Sequence, residues 1–461
     1  MIEELLVSAT PFGVRTAAIA GGKVCAFNAE SESAPSLLGN IYAAAEGRRG
    51  GAARFVAIAK EQNAFLQKSG GAEGEDNPMV QVTRAGWRGK APRVSAEISL
   101  AGRYMVYFPL SAGAKVAQRI GDKAARGRLL TLAQGIAEDG GGVTIRSAAK
   151  DAADDAILAE ARRHREKWAE ISAKRAQSPA PALLASGPGL AERQMRDILP
   201  QVARIFTDDR DTLARLRAYA EEWTPEFTSR LELVGGALFE RHDASGALAA
   251  ALAPEVPLAG GGRLSIEPTR ALTAIDVDSG VRGGAWASAL STACMEAAGA
   301  AAREIRLRNL AGLIVIDFPR LDAGDAGQAL MAQMEARMRD DPVPHKVTGL
   351  SQSGLMEITR RRGEAPILDA LTEALDGGYG GRRRRLDALA FDIAEAARLQ
   401  VQAGARAVTL KVAPALAAFL GQDNSAADGA ENTTLGAWLG IGVTVRSEPE
   451  RGRENWEIEA A

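Results

Sequence analysis

Short apolar runs broken by glycine open the chain. "ELLVSA", "VRTAAIA" and "KVCAFNA" fall within residues 1–38 and predict a small antiparallel meander. Residues 39–97 continue as short strands with glycine-rich loops, in "NIYAAAEGRRGGAARFVAIA" and "PMVQVTRAGWRGKAPRVSAEISL". Roughly five strands at this spacing suit a small closed barrel. From "GRYMVYFPL" onward, strands alternate with helices. Residues 151–177 form an amphipathic helix ended by "SPAPALL", and helices dominate 189–252.

"GGRLSIEPTRALTAIDVDSG" then gives two adjacent strands, followed by an alanine-rich helix over 285–303. "LAGLIVIDF" reads as a fully buried strand, because its near-continuous apolar run leaves no polar face. "GGYGGRRRRL", residues 377–386, reads as an exposed linker. Beyond it a helix, a strand, a short helix and two final strands make a small α/β domain.

Two of these strands end on carboxylates. In an extended strand, residues i and i+2 share a face about 6.5–7 Å apart, so Asp276 and Asp278 project side by side. If two such charges approach to about 4 Å, they repel by about 4 kcal/mol at an effective dielectric of 20, and a cation removes that penalty. "LIVIDF" repeats the pattern with Asp317. Acids at the ends of two strands in one sheet can converge on Mg²⁺, which takes one or two carboxylates, keeps its waters and bridges to phosphate oxygens. Strand-end aspartates also cap the loops that follow them, and spacing alone leaves both roles open.

Composition narrows the classes. At 461 residues the chain has room for about two to four domains. Lys and Arg number 56 against 58 Asp and Glu, which argues against a uniformly basic coat while allowing local patches. Cys25 and Cys294 form no CxxC pair, which argues against a disulfide framework or a cysteine zinc site. His164, His242 and His345 lack metal-ligand spacing. "MIEELLVSAT" lacks the basic and apolar regions of a signal peptide, and no run reaches ~18 apolar residues. The expectation is a soluble, cytoplasmic protein with no membrane span.

Taken together, "SIEPTRALTAIDVDSG", "EIRLRNLAGLIVIDF" and "GLMEITRRR" resemble the catalytic core of the ribonuclease E/G family of bacterial endoribonucleases. The resemblance extends over nearly all of the chain. "GNIYAA" and "RFVAIAKEQNAFLQ" resemble the family's OB-fold, while "GRYMVYFPL" and "GVTIRSAA" resemble its sensor of RNA 5′ ends. It implies a multi-domain α/β fold. An RNase H-like fold is split between 1–38 and 189–252, around an OB-fold RNA-binding domain (39–97) and a 5′ sensor (98–188). A DNase I-like catalytic subdomain (253–365), a linker (366–385) and a small domain (386–461) follow. The resemblance implies the shorter type in the family, without the long C-terminal scaffold that some relatives carry.

The resemblance also implies roles. Asp276 and Asp317 match the family's two catalytic, magnesium-binding aspartates. Asp278 stands where the family has an Asn that positions the attack on phosphate, and Arg270 replaces an acidic residue. Phe55 and Phe65 match aromatics on which bases stack, typically worth about 1–3 kcal/mol per base, the alternative being barrel core. Arg84 and Lys90 match basic positions facing the RNA. Arg146 and Ser147 match an Arg–Thr pair that holds a 5′ monophosphate. A further sensor arginine falls at Pro344.

The family's cysteine zinc link is replaced by "GEAPILDALTEALDGGYGGRRRRL", so any homo-oligomer rests on packing rather than thiolate–zinc bonds. Arg360 to Arg362 and Arg382 to Arg385 could meet phosphates or be solvated charge. The implied activity is Mg²⁺-dependent cleavage of single-stranded A/U-rich RNA, in rRNA precursors and mRNA, leaving a 5′-phosphate and a 3′-hydroxyl. A second reading, an RNA-binding protein of this fold with weak or lost catalysis, rests on Asp278, Arg270, the absent link and the thinned sensor.

Overall fold

In the computed structural model, which describes residues 2–50, 53–67, 78–86, 90–198, 203–280, 286–320, 324–351, 353–375, 381–421, 430–431 and 433–461, the opening meander forms as expected. Its strands are β1 (Glu4–Thr10), β2 (Gly13–Ala20) and β3 (Lys23–Ser31), each antiparallel to the next. Gly13 is required at the first turn, since a Cβ there would lie 2.2 Å from the Glu30 carbonyl oxygen. The chain divides into two compact units, one of residues 1–35, 201–215 and 229–461, the other of 36–200 and 216–228.

The second unit begins with β4 (Ile41–Ala43), β5 (Ala45–Gly50), β6 (Ala53–Ala59), β7 (Gln62–Leu66), β8 (Met79–Arg84) and β9 (Arg93–Ser95). It continues with β10 (Leu100–Ala101), β11 (Met105–Phe108), β12 (Ala114–Val116), α1 (Lys123–Glu138), β13 (Gly142–Ile145), α2 (Asp154–Gln177), β14 (Ala182–Ala185) and α3 (Leu190–Ile198). Expected closure of the barrel is not found: the order is β14-β4-β8-β9-β7-β6-β5, with no ladder joining β14 to β5 among the described residues. The sheet is a half-barrel, and β14 joins it from beyond the expected boundary. Its hollow holds Val56, Ile58, Ala64, Leu66, Val80, Val82 and Val94. A second sheet, β10-β11-β13-β12, packs Met105, Val143 and Ile145 against Leu129 and Ile136 of α1 and Ile157 of α2.

The path returns to the first unit through β15 (Arg204–Thr207), β16 (Leu231–Leu233) and α5 (Ala244–Leu252), while α4 (Arg210–Trp223) has residues in both units. β15 pairs parallel to β1, and β16 parallel to β15, completing the order β16-β15-β1-β2-β3. Thus residues far apart in sequence share one sheet.

Next comes the sheet that matters most here. Its elements are β17 (Glu255–Pro257), β18 (Arg263–Pro268), β19 (Thr273–Asp278), α6 (Trp286–Leu307), β20 (Gly312–Asp317), α7 (Gly324–Met338), β21 (His345–Leu350) and β22 (Leu355–Arg360). The strand order is β17-β18-β19-β20-β22-β21. One face packs Leu264, Ile266, Ile275, Val277, Ile314, Ile316, Met356 and Ile358 against α6 and α7. The other carries the alternate positions, with Arg263, Ser265, Asp276, Asp278 and Glu357 beside Ala274, Leu313, Val315 and Leu355. β20 therefore departs from expectation: Leu313 and Val315 are half-buried and Asp317 is exposed, because the helices cover a single face.

The tail comprises α8 (Ile367–Leu371), β23 (Thr372–Ala374), β24 (Arg382–Arg384), α9 (Leu386–Gln402), β25 (Ala407–Val412), α10 (Pro414–Leu420), β26 (Ala430–Glu431), α11 (Thr433–Leu439), β27 (Gly442–Ser447) and β28 (Trp456–Ala460). The expected linker is instead ordered where it is described, because β23 and β24 form an antiparallel pair and every arginine of the run has an acidic partner. Arg382 pairs with Asp369, Arg383 with Glu373, Arg384 with Asp392 and Arg385 with Asp387. Residues 376–380 of that stretch lie outside the described residues.

Candidate active site

The parallel pairing of β19 with β20 sets Asp276 directly opposite Asp317. Burial of Ile275 and Val277 on one side, and of Ile314 and Ile316 on the other, forces both aspartates to the opposite, open face. Their Cα atoms are thus one strand spacing apart, about 4.8 Å. Both side chains are exposed, and neither has a hydrogen-bond or ion-pair partner among the described residues. Two hard anionic oxygen donors set side by side, with no counter-charge among the described residues, fit a hard divalent cation. Among the described residues no three His, Cys, Asp or Glu side chains converge as a ligand cluster. A cation here would therefore keep sites for water and substrate oxygens.

Asp278 shares this face but is already engaged. One carboxylate oxygen accepts the Gly280 N–H at 3.1 Å, and the other lies 3.6 Å from the Arg263 guanidinium. Arg263 is its register partner on β18. The turn-capping role left open by the sequence is thus present in the geometry. Arg270 sits in the β18–β19 turn, at the far end of the hairpin from Asp278.

The half-barrel carries an aromatic pair. Phe55 and Phe65 are register partners on β6 and β7, with ring centroids 5.7 Å apart in an edge-on arrangement. Both are half-buried, while their neighbours Val56, Ala64 and Leu66 fill the core. Arg93, not singled out from the sequence, lies with its guanidinium carbon 5.9 Å from the Phe65 ring centroid. Arg84 is half-buried opposite Arg93 at the end of β8, and Lys90 is exposed.

Arg146 follows β13 and Ser147 begins a short 3₁₀ turn, with Ser147 exposed. The Arg146 guanidinium donates to the Gly102 carbonyl and to Asp197, the latter at 2.8 Å. Arg196 grips the same Asp197 with two N–H groups, at 2.8 and 2.7 Å. Burial opposes ionisation of Asp197, but the hydrogen bonds and charges of Arg196 and Arg146 prevail and hold its carboxyl at about 2. Sequence reading missed Asp197 and also Glu160, which is fully buried and accepts the N–H groups of Arg103, Tyr104 and Met105. Glu160 fixes the turn whose Gly102 carbonyl receives Arg146. Pro344 is exposed just before β21, in the first unit.

Arg360 corrects an expectation. It is 5% exposed and donates twice to the fully buried Asp341, at 2.7 and 3.1 Å, and once to Asn309 at 2.8 Å. Its position on the inward register of β22 commits it to the interior rather than to phosphate. Arg361 is exposed. No helix among the described residues is long and apolar enough to cross a membrane.

The sequence model of the Ribonuclease E/G family matches residues 99–363. The chain is similar to Ribonuclease G of Salmonella typhimurium and of Escherichia coli strain K12, at 29% identity in each case, over 99% of this chain and 99% of each relative. It is also similar to Ribonuclease E of a Nostoc species, at 33% identity over 62% of this chain and 42% of that protein.

Proposed function

The chain belongs to the ribonuclease E/G family, and from that premise we propose that it is an endoribonuclease cleaving single-stranded RNA with Mg²⁺ held by Asp276 and Asp317. The observation that carries this reading is the register pairing of those two carboxylates, without partners among the described residues, on the exposed face of a sheet whose other face is covered. When bound, the ion neutralises charge on the phosphate and lowers the pKa of an attacking water. Asp276 and Asp317 fix where that charge sits, and the rigid ladder between their strands keeps them in place. Asp278, at the third acidic position, orders the strand end through Gly280.

Phe55 and Phe65 stack bases, with Arg84 and Lys90 meeting the backbone nearby. Arg146 and Ser147 receive a 5′ monophosphate. The family supports A/U-rich segments of rRNA precursors and mRNA as substrates, products with a 5′-phosphate and a 3′-hydroxyl, and a cytoplasmic setting. The order β16-β15-β1-β2-β3 supports reading the first sheet as RNase H-like. The half-barrel is then the OB-fold, and the β17–β22 sheet with α6 and α7 the DNase I-like part. Any homo-oligomer forms through packing.

Incubation with a fluorogenic single-stranded RNA, with and without Mg²⁺, tests the proposal. Cleavage that requires Mg²⁺ and is lost in Asp276→Asn supports it. RNA binding without any cleavage would instead establish the non-catalytic reading.

A further inference from the structure

Asp278 has a partner that the sequence reading passed over. β18 and β19 form a hairpin whose open end places Arg263 opposite Asp278, both outward-facing. That end is tightly closed: a Cβ on Gly262 would lie 2.3 Å from the Asp278 carbonyl oxygen, and one on Gly280, at φ +64°, 2.7 Å from the Gly261 carbonyl oxygen. The Arg263 guanidinium nevertheless stays loose. Its side chain is 55% exposed, it lies 3.6 Å from the Asp278 carboxylate, and it makes no hydrogen bond among the described residues. An arginine fork presents five donors suited to a phosphate. Diagonal neighbours on a sheet face lie about 7–8 Å apart, so this fork is one row from Asp276.

We propose that Arg263 is an RNA-binding residue that takes a phosphate beside the one at the Asp276–Asp317 pair, with Asp278 holding its guanidinium ready until RNA arrives. The proposal rests on the reading of that pair as the cleavage site. Asp278 then serves as a competitor for Arg263 rather than as a third metal ligand. Its charge is balanced by Arg263 in the free chain, and RNA displaces one anion with another.

Binding of a fluorescein-labelled single-stranded A/U-rich RNA, followed by anisotropy, tests this in the Asp317→Asn background, where cleavage does not intervene. Arg263→Gln should weaken binding roughly tenfold. It should also lower the slope of log affinity against log salt by about 0.7 between about 50 and 200 mM, the share of one phosphate contact on a single strand. Arg263→Lys should keep the slope while losing part of the affinity. Asp278→Asn should tighten binding, because it frees the fork. Unchanged affinity and slope in Arg263→Gln overturn the proposal. Should that variant fail to fold, Asp278→Asn decides alone, and no gain in affinity overturns it. Absence of Mg²⁺-dependent cleavage by the unaltered chain would instead count against the proposed activity, whatever Arg263 does to binding.

Discussion

Asp317→Asn probes the carboxylate pair most directly. Asp276 and Asp317 face each other across hydrogen-bonded strands, and among the described residues neither has a cationic partner. At about 4 Å two unit charges repel by about 1 kcal/mol in water and about 4 kcal/mol at an effective dielectric of 20. Both side chains face solvent, which places the pair near the lower figure, about 0.5–1 kcal/mol. The amide keeps the shape and removes one charge, so the metal-free variant should melt about 1–2 °C higher than the unaltered chain. Mg²⁺ at ten times its dissociation constant should stabilise the unaltered chain by about 1.4 kcal/mol and the variant far less. Cleavage should be lost while RNA affinity stays within a few-fold, since only transition-state stabilisation disappears. Thermal melts with and without MgCl₂, run beside a gel cleavage assay, read all three. A variant that melts lower without metal, or gains as much protection from Mg²⁺, refutes the account of these residues as an unneutralised metal pair.

Other positions give separate tests. Arg360→Met should lower the urea midpoint by the equivalent of about 3–5 kcal/mol, because it strips the counter-charge from buried Asp341, and should leave the salt dependence of RNA binding unchanged; a weakened salt slope would restore Arg360 as a phosphate contact. Phe65→Ala should cost about 1–3 kcal/mol of RNA affinity with little effect on the urea midpoint, because the ring stands outside the half-barrel core; the opposite split would make Phe65 a core residue. For Asp197 the folded carboxyl is depressed to about 2, so its contribution is full above the unfolded value near 3.9 and fades as pH falls toward 2. A carboxyl-carbon NMR titration should show that midpoint, and one near 4 would break the Arg146–Asp197–Arg196 arrangement.

What the sequence disclosed follows from what is local. The apolar runs of "ALTAIDVDSG" and "LIVIDF" stop on Asp276, Asp278 and Asp317, which lie at strand ends, and period two sets Asp276 and Asp278 on one face because it belongs to the strand itself. Which residue faces Asp278 depends on the length of the β18–β19 turn, and so Arg263 was invisible until the register was seen. β20 was misjudged for a related reason. Seven near-continuous apolar letters fit a strand covered on both faces, yet the helices pack on one, and Leu313 and Val315 on the other are only half-buried. The arginine run looked like solvated charge because its partners Asp369 of α8, Glu373 of β23, and Asp387 and Asp392 of α9 meet it only once the chain is folded. The expected closed barrel was drawn from residues 39–97 alone, whereas the sheet takes its edge strand β14 from about 90 residues beyond β9, counting from 95 to 182.

The shared register of β19 and β20 has a consequence for fidelity. A slip of one residue between those strands would separate Asp276 from Asp317, and the same slip would turn either Ile275 and Val277 or Ile314 and Ile316 out into water. An error in the reactive geometry is thereby coupled to an error in the core, and molecules bearing it are unstable before they can act on anything. Folding itself inspects the site: every chain stable enough to persist carries its two carboxylates in line.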